Sequence, residues 1–137
     1  MVIAIIDYGS GNLRSAAKAF ERVAGSESVI VTSDCRDLKK ADRIVLPGVG
    51  AFADCMRGLS ALDGMLSALE EEVRGRQKNF LGICVGMQML FEKGHEHDVR
   101  KGFGWLEGEV VPLRIQDAGS RIQEIKSSTS LNPESRI

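Results

Sequence analysis

Val2-Ile3-Ala4-Ile5-Ile6-Asp7-Tyr8-Gly9-Ser10-Gly11-Asn12 opens the chain and decides how the rest is read. A continuous apolar run, mostly β-branched, is what a strand buried on both faces requires, as in a parallel sheet. The run stops at a cluster of turn formers, where a helix can begin. Leu13, Ala16, Ala17, Phe20 and Val23 follow at spacings of three and four, the stripe by which a helix packs on a sheet, and Gly25 is placed to end it.

The unit recurs. Val29-Ile30-Val31 reads as a second strand, and Arg43-Ile44-Val45-Leu46 as a third, stopped by Pro47-Gly48. A helix is expected from about Leu59 to Val73, carrying Leu62, Leu66, Leu69 and Val73. Phe80-Leu81-Gly82-Ile83 reads as a fourth strand, and Val85 to Phe91 as the helix after it. Strands alternating with helices imply right-handed crossovers and an α/β fold with a doubly wound, mostly parallel sheet. Glu109-Val110-Val111-Pro112-Leu113 reads as a further strand, placed at an edge by its proline.

Composition narrows the function classes. Apolar residues make up 43% and charged residues 27% of 137 residues, which is ordinary globular usage for one domain. With 18 basic against 19 acidic residues the net charge is −1, so neither nucleic acid nor an anionic membrane is expected as a partner. No apolar run approaches the roughly 20 residues of a membrane span, and the start lacks a secretory signal, so a cytoplasmic location is expected. Cys35, Cys55 and Cys84 are an odd number without Cys-x-x-Cys spacing, which argues against a disulfide scaffold or a structural zinc site. No metal or cofactor is expected. After about Leu113 the chain has no aromatic residue, and the run Ser127-Ser128-Thr129-Ser130 sits among scattered charges. Residues 114–137 are therefore expected to be a weakly ordered polar tail.

The sharpest chemical feature is Gly82-Ile83-Cys84-Val85-Gly86 at the fourth strand-to-helix junction. A nucleophile raised above the carboxyl edge of a sheet needs a tight, strained turn, with glycines removing the side chains that would collide there. A helix N-terminus at Cys84 would stabilise a thiolate, and the Val85 N–H would face a developing oxyanion. The same string also suits a buried cysteine that merely ends a core strand. Cys35 and Cys55 lack this context and read as packing or surface residues. Leu46-Pro47-Gly48-Val49-Gly50 ends the third strand at the same edge, where open α/β sheets bind ligands. Its glycines let the backbone approach a substrate; a simple Gly-Pro turn is the plainer reading.

Three strings together resemble the glutaminase subunits of imidazole glycerol phosphate synthase, within the class I glutamine amidotransferases. They are Asp7-Tyr8-Gly9-Ser10-Gly11-Asn12-Leu13, Leu46-Pro47-Gly48-Val49-Gly50 and Leu81-Gly82-Ile83-Cys84-Val85-Gly86-Met87-Gln88. Gly102-Phe103-Gly104-Trp105 and Gly108-Glu109-Val110-Val111 extend the likeness, which covers about residues 1–113. The resemblance implies a flavodoxin-like sheet. It implies that Cys84 attacks the side-chain amide of glutamine, forming a thioester and releasing ammonia. It further implies that Val49, Gly50 and Val85 supply oxyanion N–H groups, after a reorientation of the Pro47–Gly50 loop. Gly48, Gly50 and Gln88 would bind substrate. Ammonia would pass to a (β/α)₈-barrel cyclase as heterodimer partner, with Asn12 near the shared interface.

The chain departs from that family in one respect. The mechanism needs a base and a carboxylate to orient it. The family's His-Pro-Glu is absent, and the histidines are His95 and His97. A continuous helix from Val85, rising about 1.5 Å per residue, would put His95 roughly 16 Å beyond Cys84. Both histidines therefore read as solvated loop residues. The expectation is a C-terminally truncated or frame-shifted amidotransferase, incomplete in its fold and impaired in glutaminase activity. Two other readings remain open: a non-catalytic cyclase-binding module or relic, and a related amidotransferase serving another synthase.

Overall fold

The computed structural model describes residues 1–113, so the expected polar tail over 114–137 lies outside the described residues. Four parallel strands, β1 (Val2–Ile6), β2 (Ser28–Thr32), β3 (Arg43–Gly48) and β4 (Asn79–Cys84), form a sheet in the order β2-β1-β3-β4. Helix α1 (Leu13–Val23) connects β1 to β2, and α2 (Cys35–Lys40) connects β2 to β3. Between β3 and β4 lie α3 (Phe52–Ser60), α4 (Met65–Leu69) and a π-helical turn over Glu70–Gly75. The single turn α5 (Val85–Gln88) follows β4. A second sheet is built from β5 (Phe91–His95), β6 (Val99–Lys101) and β7 (Leu106–Val110), with β5 central.

The α/β fold with a mostly parallel sheet is as the alternating pattern requires. The apolar runs of β1 and β3 are buried on both faces. Ala4, Ile6, Ile44 and Leu46 pack against Leu38, Cys55, Leu59, Met65 and Leu69 from α2, α3 and α4. On the opposite face Ile3, Ile5 and Val45 meet Leu13, Ala16, Ala17 and Phe20 of α1. Each fully buried large aliphatic side chain contributes about 1.5–3 kcal/mol. Strand order reverses between β1 and β3, opening a crevice beyond their carboxyl ends where ligands of such sheets bind.

Several elements differ from expectation. Helix α2 had no apolar stripe to announce it; Asp34 caps it, its Oδ1 accepting from the Arg36 N–H at 2.9 Å. The helix expected over 59–73 instead begins at Phe52 and breaks before Met65 at Gly64, whose φ is +68°. β3 continues through Pro47 and Gly48, which align with Ile83 and Cys84. The helix expected from Val85 to Phe91 stops at Gln88, because Phe91 is taken into β5 and aligned with Leu106. The expected Glu109–Leu113 strand is Leu106–Val110; it lies at an edge, as expected, but the edge is that of the second sheet, where it pairs with β5, and it ends before Pro112.

The second sheet is anchored at two points. Gly94 lies against the Phe52 ring, where a Cβ would come within 2.5 Å. Trp105 packs edge-on to Phe80 of β4 and donates its Nε1–H to Glu70 Oε2 at 2.7 Å. One surface of the main sheet is left uncovered by the described residues. Leu81 and Ile83 align with Val45 and Pro47 and so share the α1 face, yet they are 49% and 37% exposed.

Candidate active site

Cys84 ends β4 with φ +54° and ψ −117°, a conformation that costs a non-glycine residue about 1–3 kcal/mol. Its side chain is exposed, whereas Cys55 is buried and Cys35 half-buried. The flanking glycines explain how the turn is held. A Cβ on Gly82 would sit 2.6 Å from Met87 Cα, and one on Gly86 would overlap the Leu46 carbonyl oxygen. The chain after Cys84 is thereby pressed against β3 and β4, and α5 starts with Val85 buried beneath it. The buried-cysteine reading of the string does not hold.

Gly48 of β3 aligns with Cys84 across the sheet, which brings the Gly48–Gly50 loop to the side of the thiol. That loop is gripped from behind by the turn after β1. Tyr8 donates its phenol to the Pro47 carbonyl at 2.6 Å. Burial, followed by the neighbouring Cys55 thiol, pushes the Tyr8 phenol well above its ordinary range. Ser10 Oγ donates to the Val49 carbonyl at 2.6 Å and accepts the Val49 N–H at 3.0 Å. Cys55 Sγ lies 3.3 Å from Ser10 Oγ and donates to the Val49 carbonyl at 3.5 Å. Cys55 thus does more than fill space. The Val49 N–H, expected to face an oxyanion, points to Ser10.

Two clefts flank the loop. One, of about 640 Å³, is lined by Tyr8 to Asn12 together with Val49, Gly50 and Asp54. Asn12 lies there at the start of α1, its Oδ1 accepting from the Ser15 N–H at 3.2 Å. The other, of about 610 Å³, brings Gly50 together with Gln88, Glu96 and His97. Gln88, half-buried, is the last residue of α5, one turn beyond Cys84.

The structure corrects the histidines. His95 is in β5, its Nε2 2.6 Å from Glu109 Oε2, so it is no loop residue. The hydrogen bond from His95, and then that from Lys93, holds the Glu109 carboxyl below the usual carboxylate range. His97 is exposed in the bend between β5 and β6 and lines the Gln88 cleft. Glu96 is the residue missed from sequence. Its Oε2 accepts the Phe52 N–H at 2.8 Å, capping α3, whose own N-cap Ala51 has no side-chain acceptor. No spacing rule connects residues so far apart in the chain. Among the described residues no three His, Cys, Asp or Glu side chains converge as a metal site. No described helix is long and apolar enough to cross a membrane.

Comparison with known proteins bears on this geometry. The chain is 55% identical over 117 residues to the imidazole glycerol phosphate synthase subunit HisH of Rhodopseudomonas palustris, covering 82% of this chain and 54% of that protein. It is 53% identical over 129 residues to the subunit of the same name from Brucella suis, covering 91% and 60% respectively. The corresponding subunit of Mesorhizobium japonicum is 51% identical over 133 residues, 94% of this chain and 62% of that protein. The chain therefore spans about half to three fifths of the length of these curated relatives. The glutamine amidotransferase class-I family profile matches residues 4–131, past Leu113. With a strained, exposed thiol at the carboxyl edge of a parallel sheet, this chain belongs to the class I glutamine amidotransferase family.

Proposed function

We propose that the chain is the glutamine-hydrolysing part of an imidazole glycerol phosphate synthase. The observation that carries the reading is the exposed Cys84 at φ +54°, aligned with Gly48 at the mouth of the β1/β3 crevice. The Cys84 sulfur attacks the carboxamide carbon of glutamine, and the amide oxygen becomes an oxyanion beside the Val85 N–H. The C–N bond then breaks, ammonia leaves, and the γ-glutamyl thioester is hydrolysed by water. Val49 and Gly50 contribute their N–H groups once the loop turns away from Ser10. Gln88 holds the amino-acid end of glutamine, and Glu96 adds a carboxylate for its ammonium group. Gly48, where a Cβ would come within 2.6 Å of the Gly86 nitrogen and 2.9 Å of the Tyr8 hydroxyl, lets β3 and α5 close together, and its backbone lines the approach of the substrate.

Ammonia needs a consumer, and the names of the relatives denote subunits of a synthase. The partner is a cyclase barrel that docks over the Asp7–Asn12 turn, with Asn12 at the contact. Glutamine, not a nucleic acid or a membrane, is the ligand of this chain, in a cytoplasmic setting.

The thiol proton requires an acceptor and the leaving amine a donor. Within residues 1–137 the histidines are His95, bonded to Glu109, and His97, exposed in the bend between β5 and β6. Residues 1–137 by themselves are therefore proposed to bind glutamine and expose a reactive Cys84 but to turn over poorly. Treatment with a chloroketone analogue of glutamine tests this. Selective alkylation of Cys84 over Cys35 and Cys55 is expected, while equal or absent labelling would leave only a scaffold or cyclase-binding role. Ammonia release at the rate of a full-length relative would overturn the inference of poor turnover.

A further inference from the structure

We propose that Cys55 is a positioning residue: its buried thiol, acting through Ser10 and the Val49 carbonyl, sets how readily the Gly48–Gly50 loop turns its N–H groups toward Cys84. This rests on the glutamine reading above. A loop that turns needs one part that yields and one that does not. The yielding part is its tip, where Val49 is 62% exposed and a Cβ on Gly50 would meet nothing within 4 Å. The fixed part is α3. Glu96 caps it at the Phe52 N–H, and a Cβ on Gly58 would come within 2.7 Å of the Tyr8 carbonyl oxygen, so the helix lies hard against the turn after β1. Cys55 stands on the buried side of that helix with Phe52 and Leu59.

The thiol completes the hydrogen bonding of the tip. A serine hydroxyl has one hydrogen to give and two lone pairs. The Ser10 hydrogen goes to the Val49 carbonyl at 2.6 Å, and one lone pair takes the Val49 N–H at 3.0 Å. The other lone pair is left for Cys55 Sγ, 3.3 Å away, so the thiol is the donor of that contact. The same sulfur lies 3.5 Å from the Val49 carbonyl, which also has a second lone pair to fill. One S–H thus bears on both groups that keep the tip turned away from Cys84. Because a thiol is a weak donor, it favours this arrangement without fixing it. An apolar side chain in its place would fill the space and free the loop; a hydroxyl would hold it harder.

The test follows modification of Cys84 in residues 1–137 by peptide mass spectrometry, with two reagents. When the thiolate adds to the glutamine-shaped chloroketone, the ketone oxygen becomes an oxyanion and calls on the loop N–H groups. Methyl methanethiosulfonate is attacked at sulfur, expels methanesulfinate and makes no such anion. Cys55→Ala should raise the chloroketone rate about fivefold, the weight of one hydrogen bond, and leave the methanethiosulfonate rate unchanged. Cys55→Ser, which keeps a donor, should return the chloroketone rate to the unsubstituted value or below. Cys55→Val, which fills the space of the thiol without a donor, should give the same increase as Cys55→Ala and replaces it if that variant does not fold. A thiol that only filled space would not sort the variants by donor. Equal responses to the serine and donor-free variants, no response, or a change with both reagents overturns the assignment to Cys55 while the glutamine site stands. Added glutamine should protect Cys84 of the unsubstituted chain from the chloroketone; absence of protection overturns the glutamine site itself, and Cys55 with it.

Discussion

Ser10 Oγ stands between the two backbone polar groups of Val49, 2.6 Å from its carbonyl oxygen and 3.0 Å from its nitrogen. One hydroxyl satisfies both the acceptor and the donor of the residue at the tip of the loop. As long as it does so, the Val49 N–H cannot serve an anion at Cys84. Ser10→Ala should cost about 1 kcal/mol of stability and raise the alkylation rate of Cys84 by the glutamine-shaped chloroketone. Denaturant titration and labelling kinetics on the same variant measure the two effects. An unchanged labelling rate would mean that the loop does not need to leave Ser10.

The packing of the nucleophile turn predicts unequal responses at two glycines. A Cβ on Gly86 overlaps the Leu46 carbonyl, and backbone there cannot yield cheaply. Gly50 has open space around it and carries only the strain of φ +101°. Gly86→Ala should therefore destabilise by more than 3 kcal/mol or so, against about 1 kcal/mol for Gly50→Ala. Urea midpoints of the two variants decide it; comparable midpoints would contradict the close approach of β3 and α5.

Stability should fall at both ends of the pH range, for different groups. The Asp34 carboxyl, hydrogen-bonded by the Arg36 side chain and N–H, is held down at about 2, and Glu109 is also depressed, by His95 and Lys93. Their contributions are present above the ordinary carboxylate range near 4 and are lost as pH falls through their lower native values. Tyr8 is shifted up, so its contribution is complete below about 10 and is lost as pH rises above that. Tyr8 is the single tyrosine, so its ultraviolet difference spectrum reports the phenol directly. Titration at the ordinary value in the folded protein would contradict its burial against Pro47. Tyr8→Phe should remove the alkaline loss, read by thermal melts at rising pH.

The bare face of β4 predicts self-association. Leu81 and Ile83 are exposed on an edge strand beside the α1 helix, and such edges template pairing with other chains. Residues 1–137 at micromolar concentration should sediment as more than a monomer. The double substitution Leu81→Lys, Ile83→Thr should shift the distribution towards monomer with little change in Cys84 labelling. A monomeric unsubstituted chain at all concentrations would count against this.

The legible parts of the sequence were those with a short-range pattern. β1 and α1 appear where the run Val2–Ile6 and the stripe from Leu13 to Val23 place them, because burial on a sheet imposes periods of two and 3.6 on neighbouring residues. The turn at Cys84 was legible for the same reason: its two glycines and the thiol lie within five positions. The helix after it was not. Val85 to Phe91 reads as one apolar stretch, and only the pairing of Phe91 with Leu106 turns its end into a strand. The break at Gly64 was hidden inside a stripe that looked continuous from Leu59 to Val73.

What the amino-acid order determined by itself was the layered α/β architecture and the position of the thiol at its carboxyl edge. Both follow from local hydrophobic periodicity and from the small residues that a sharp turn demands. Only the tertiary structure decided that Ser10 occupies the Val49 N–H, that Glu96 caps α3, and that His95 answers to Glu109 while His97 borders the cleft of Gln88. These are contacts between side chains and backbone groups distant in sequence. Their partners are selected by the closure of the sheet and the docking of β5, and no spacing within the chain encodes them.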